Sequence, residues 1–158
     1  RVRIKGGFYL PNGARDNTYN TITGKANFTV SELETVKLKN DEFLMMTIRS
    51  HDQFNTTIYG LDDRYRGIFN ERRVVLINKN DCLKHGFRQG DIVDLYNYDD
   101  NKERVAKKFL VIEYNIPETC IATYFPEANV LVPIDSTAKK SNTPTSKSVI
   151  VKIQHHQQ

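Results

Sequence analysis

Cysteine is scarce in this chain: Cys82 and Cys120 are the two thiols among 158 residues. Neither belongs to a CxxC pair, and both sit in apolar or mixed surroundings, which suits buried thiols better than a disulfide or a metal site. Free thiols of that kind belong in a reducing compartment, so a cytoplasmic location is expected. Long hydrophobic runs are lacking as well. The longest uncharged apolar stretches are far too short to cross a bilayer, so no membrane partner is expected. The net charge of +4 is dispersed, with acidic and basic residues alternating in stretches such as Asp99 to Arg104. No basic stripe with interleaved aromatics is present, which argues against a nucleic-acid polymer and leaves a single bound anion open. A glycine-rich phosphate loop, HExxH, GxSxG and tetrahedral metal spacing are all missing, so no catalytic residue and no metal ligand is assigned.

What remains is the composition of an ordinary soluble domain, 39% hydrophobic and 27% charged. The length suits one domain with its own core. The chain opens on Arg1 rather than Met, and Arg1 to Gly7 has neither the charged nor the apolar region of a signal peptide. A piece of a longer protein is the expectation.

The sequence is organised around Arg49 to Gly60, a polar stretch that follows directly on the apolar run Phe43 to Ile48. A strand that gives way to so many hydrogen-bonding side chains builds a site rather than a core. Before it, residues 1–40 alternate weak strand signals with turns, Gly24 to Val30 being a candidate short strand, and read as a lead-in arm from a preceding domain. After it come Arg73 to Ile77, a strand, and Asn78 to Gly86, one or two helical turns capped by Asn78 or Asn80 and closed by Gly86. Ile92 to Tyr96 alternates as a strand, Asn97 to Arg104 is a polar hairpin-like connection, and Phe109 to Ile112 and Thr119 to Phe125 are further strands. Leu131 to Ile134, broken by Pro133, suits an edge or loop, and Ser148 to Ile153 is the closing strand. The barrel is expected over 41–154, with 155–158 a disordered tail in which His155 and His156 are frayed rather than ligands. Six or seven short strands with one or two short helices predict a mainly β fold. A barrel is favoured because open strands of this length leave edges to protect.

Hydrogen-bonding residues gather at two places. Arg49, Ser50, His51, Gln53, Asn55 and Thr56 follow the first strand; Asn129, Ser146 and Lys147 lie near the end. Cations neutralise phosphates, and amides and hydroxyls read the edges of a heterocycle, so this is the inventory of a nucleotide-like site. The same residues also suit plainer roles: Arg49 a surface ion-pair partner, Asn129 a turn residue, Lys147 a solvated side chain. His51 and Asp52 make a poor catalytic pair, because neighbours on a strand point to opposite sides.

Five segments carry a family resemblance: Gly24 to Phe28, Thr47 to Thr56, Asn78 to Val93, Tyr124 to Leu131, and Ser141 to Ser148. In this order they resemble the C-terminal molybdopterin-dinucleotide-binding domain of the large molybdopterin oxidoreductases, specifically the formate-dehydrogenase alpha-subunit-like group. The resemblance implies a double-psi β-barrel and a ligand, bis(molybdopterin guanine dinucleotide). By it, Arg49 meets phosphate or the pterin side. Ser50, His51 and Gln53 line the loop around the dinucleotide, Asn55 and Thr56 join them as cofactor-binding residues, Asn129 hydrogen-bonds the cofactor, and Ser146 and Lys147 form the polar pair before the last strand. The chain departs from many relatives at Gln53 or Asn55 (histidine), Lys79 (proline) and Ser146 (tyrosine or phenylalanine). The family ligates molybdenum through a larger N-terminal region that neither cysteine matches, so this fragment is expected to hold cofactor beside the remaining domains of its polypeptide and to be inactive alone. Two rivals stand beside that reading: a free-standing barrel for interaction or substrate recognition, and a small enzyme acting through His51 and Asp52.

Overall fold

The structure, a computed structural model, describes residues 3–33, 35–55 and 60–157. The chain divides into one unit up to Val36 and a second from Lys37. The first has turns and no regular element among its described residues. Thr21 and Thr23 spend their hydroxyls on Lys25 and Asn27 there, and Phe28 and Val30 are fully exposed. The short strand expected over Gly24 to Val30 is therefore not formed. An extended segment without a neighbouring edge has only water for its amides, and a lone strand is unstable.

Among its described residues the second unit contains six strands, β1 (Phe43–Ile48), β2 (Val74–Ile77), β3 (Ile92–Asn97), β4 (Arg104–Glu113), β5 (Cys120–Tyr124) and β6 (Val149–His155), and one short α-helix, α1 (Lys79–His85). They close into a barrel in the order β1-β5-β2-β4-β3-β6. β1 and β2 follow one another in the chain with β5 between them, and β4 and β5 follow one another with β2 between them. These two interlocked crossings are what the double-psi expectation requires. Exchanging β1 with β4, β2 with β5 and β3 with β6 leaves every pairing and its sense unchanged. The correspondence extends to register: Thr47 faces Thr123 as Val111 faces Val75, and Met45 faces Val149 as Phe109 faces Val93.

Alternation along the strands sets the two faces. Val75 and Ile77 of β2 and Ile121 of β5 point into the barrel, where they meet Phe43, Met45, Val93, Leu95, Phe109, Val111, Val149 and Val151. Val74, Leu76, Ala122 and Tyr124 point outward and are covered by Ile68. This is why β2 is buried on both faces and reads as a continuous apolar run. The segment from Gly60 to Arg73 is thus a packed cover over one wall. After β5, Asn129–Leu131 forms a single 3₁₀ turn that buries Leu131 in the barrel core.

At the C-terminus the frayed tail is corrected. β6 runs through His155, and His156 places Nδ1 2.9 Å from Asp94 Oδ1. Asp94 sits at an irregularity in the β3–β4 pairing, where its carboxylate also accepts the Lys108 amide at 2.8 Å. A buried carboxylate needs such partners, and His156 supplies one.

Candidate functional site

Strand directions bring distant segments to one end of the barrel. β1 and β5 are parallel, with Ile48 beside Tyr124, so the chain leaves both at the same end, and the Phe125 amide donates to Ile48 O at 2.8 Å. β6 is antiparallel to β1 and β2 to β5, so the residues that precede β6 and β2 arrive there too. Arg49 to Asn55, Arg72 and Arg73, Phe125 to Asn129, and Ser146 and Lys147 therefore share this end.

The two backbone groups of Thr47 hold the entrance to β6. Its amide donates to Ser146 O at 3.0 Å. Its carbonyl accepts from Lys147 Nζ, which also lies 3.5 Å from Thr47 Oγ1. Burial, and behind it the Arg49 charge, hold the Lys147 ammonium below the usual lysine range. Arg49 and Lys147 are thus two cations in each other's field. Among the described residues neither lies within ion-pair distance of a carboxylate.

Ser50 and Gln53 turn inward instead. Ser50 Oγ accepts from Arg72 Nη1 at 2.8 Å. Gln53 Oε1 accepts from Arg72 Nη2 at 3.0 Å while its amide nitrogen donates to Phe125 O at 2.9 Å. Arg72 is buried, forms a forked pair with Glu127 at 2.7 and 3.2 Å, and stands 4.8 Å over the Tyr124 ring. Below it, the Tyr124 hydroxyl donates to Asp63 Oδ2 at 2.7 Å, and Arg66 Nη1 reaches the same oxygen at 2.5 Å. Burial alone would raise the Asp63 carboxyl, but the donors Tyr124 and Arg66 outweigh it and keep it below the usual carboxylate range. Burial and the bond to Asp63 push the Tyr124 phenol well above its usual range.

The remaining candidates face outward. His51 packs its ring on Tyr65, centroids 3.8 Å apart. Its Nε2 is 3.7 Å from Asp52 Oδ1, too far for the hydrogen bond that would orient a general base. Asn55 is exposed. Asn129 is exposed at the start of its 3₁₀ turn, held by its amide on Pro126 O at 2.9 Å. Thr56 lies outside the described residues.

Sequence reasoning missed Arg72, Glu127, Asp63 and Arg66. The one available signal was the Arg72-Arg73 doublet at the entrance to an apolar strand, where arginine is ordinarily solvated. A cavity of about 350 Å³ borders the segment that carries Ser146 and Lys147, lined by Thr145 and Ser148 as well as Tyr96, Tyr98 and Lys152. Several of its polar groups are already paired: Lys152 with Asp41, Ser136 with Thr145, and Asn97 with Ile150 O.

Residues 43–150, which span the barrel up to the second residue of β6, match the family described as the molydopterin dinucleotide binding domain. The chain belongs to that family. It is also similar to proteins whose names carry less information. An "uncharacterized oxidoreductase" of Mycobacterium tuberculosis is 49% identical over 160 residues, covering 98% of this chain and 20% of the relative. "Protein YdeP" of Escherichia coli is 37% identical over 160 residues, covering 98% of this chain and 21% of the relative. This dinucleotide-binding domain therefore spans about a fifth of the length of the curated relatives it matches. No described helix is long and apolar enough to cross a membrane.

Proposed function

We propose that this domain grips bis(molybdopterin guanine dinucleotide) within a larger oxidoreductase of the formate-dehydrogenase alpha-subunit kind. The observation that carries the reading is the pair Arg49 and Lys147: two cations at one barrel end, with Lys147 Nζ bonded to Thr47 O two residues before Arg49, and with no described carboxylate to satisfy them. Such a pair favours an anion, and a pyrophosphate is the anion this family offers. The donor set around it fits the rest of the ligand, since His51, Asn55 and Asn129 present ring nitrogens and amides to solvent at the same end. Ser50 and Gln53 contribute by holding the loop, and Ser146 by fixing Thr47; Thr56 is assigned from its place in the motif.

When bound, the cofactor supplies the redox chemistry at its metal, which a region outside this chain would ligate. The residues present here bind and orient. The domain is read as inactive alone, with the remaining domains of the polypeptide as its partners. Residues up to 40 are read as a lead-in arm and 41–154 as the barrel. The arm's fully exposed Phe28 and Val30 support a lead-in role, because apolar side chains left in water call for a covering surface. A cytoplasmic setting is supported by two free cysteines, of which buried Cys82 has its thiol pushed up to about 11 by desolvation.

The test is the guanine and molybdenum content of the full-length protein carrying Arg49→Ala, Asn129→Ala or Lys147→Ala. Content is expected to fall with circular dichroism unchanged. Full content in all three variants overturns the proposal.

A further inference from the structure

We infer that Arg72 is the positioning residue of this site, a buried guanidinium that clamps the two walls of the dinucleotide cleft to one another. The inference rests on the reading just given and concerns a residue that no ligand atom need touch.

Three segments meet on one side chain. From the first wall, Ser50 Oγ and Gln53 Oε1 accept from Nη1 and Nη2. From the second, Glu127 takes Nε and Nη2 through both carboxylate oxygens, and Phe125 O takes a further bond from Nη2 at 3.0 Å. The third segment is the residue's own, at the entrance to β2, and its guanidinium lies over the Tyr124 ring. With 3% of its surface exposed, Arg72 is shielded from the solvent that usually weakens such bonds. A planar fork of five donors meets these acceptors together in a way that a compact ammonium does not. The bound ligand contacts would then come from exposed Arg49 on one wall and Asn129 on the other, each within a few residues of an Arg72 acceptor. Arg72 sets the distance between them.

This arrangement separates Arg72 from the barrel itself. The closing strand pairs are backbone bonds and do not run through its side chain. Arg72→Lys keeps the charge and loses the fork, so the barrel is expected to persist while the walls drift apart.

The experiment uses the full-length protein and measures guanine nucleotide released per folded molecule, its dissociation rate on dialysis, and amide exchange across residues 49–55. Arg72→Lys is expected to speed nucleotide loss by about tenfold or more, as supporting residues around a ligand shell commonly do. Amide exchange is expected to rise in the loop and not in β1 or β5. If Arg72→Lys fails to fold, Gln53→Leu leaves the Arg72–Glu127 pair in place and must reproduce the faster loss. Native retention in whichever of the two variants folds overturns the inference, and so does a loss matched only by loss of folded protein. Should Arg49→Ala, Asn129→Ala and Lys147→Ala all retain nucleotide as well, the site reading itself fails. Should any of those three lose it while Arg72→Lys does not, only the role of Arg72 fails.

Discussion

At the scale of single residues, the proposed site makes Lys147 a link between binding and pH. Its folded pKa lies below the ordinary lysine value of about 10.4, because burial and Arg49 disfavour the charge. Between those two pKa values the unfolded chain holds a proton that the folded chain has lost, so stability rises with pH across that window while the cation facing an anion disappears. Nucleotide retention by the full-length protein should therefore decline at an alkaline pH below the normal lysine range. Lys147→Arg, which stays protonated, should move that decline upward, and superimposable retention profiles for the two proteins would contradict the assignment. Asp63 behaves in the opposite sense. Its folded pKa is depressed, so its stabilisation is complete above the unfolded value of about 3.9 and is lost as pH falls through the lower folded value. Asp63→Asn should lower the denaturant midpoint at pH 7, and the gap to wild type should narrow as pH falls below the ordinary aspartate value, as followed by chemical denaturation. These single-residue facts were only partly legible. Lys147 was singled out for its charge, but its bond to Thr47 O joins residues a hundred positions apart. Arg72 was passed over because nothing local to a charged doublet distinguishes a buried guanidinium from a solvated one.

At the scale of elements the sequence was more informative, because short-range rules act there. α1 begins at Asn78, whose Oδ1 accepts the Asn80 amide at 2.8 Å, and ends at Gly86 with φ of 75°, the left-handed conformation that glycine tolerates. The same Asn78 also donates to Ile116 O at 2.6 Å, so it caps the helix and ties down the connection after β4. Asn78→Ala should cost about 1 kcal/mol for the cap and a comparable amount for the lost tie, measured as a shift in denaturant midpoint. Asn78→Asp, which keeps the cap and loses the donor, should fall between. The six strand cores were readable from apolar runs and alternation. The failures lie where an element depends on something distant. Gly24 to Val30 has strand composition and no partner edge, and His156 has no periodic pattern yet finds Asp94.

Across the whole molecule, the two-fold correspondence of strands makes the barrel's ends comparable, and they differ. The connection from β1 to β2 is long and carries the polar loop, whereas its counterpart from β4 to β5, Tyr114 to Thr119, is short and pinned. There Asn80 Nδ2 donates to Glu118 Oε1 at 2.7 Å and the Thr119 amide donates to Asp81 Oδ2 at 2.7 Å. Glu118→Ala should accordingly leave guanine content in the full-length protein unchanged and shift thermal stability by less than about 1 kcal/mol. A fall in content there would show that ligand grip extends beyond the open end. Sequence periodicity could suggest a barrel but not which end is sealed, because closure order depends on pairings between segments far apart in the chain.

The contrast continues in one carbonyl. At the pinned end Val111 O is met by the Gly90 amide at 2.9 Å, backbone to backbone; at the open end its counterpart Thr47 O is met by the Lys147 side chain. A main-chain seal is the same whatever the residue, while a side-chain seal can be rewritten by one codon. The barrel thus has a fixed face and an editable face, and under the proposed function a lineage can retune how tightly the dinucleotide is held without disturbing the strand pairings that make the fold.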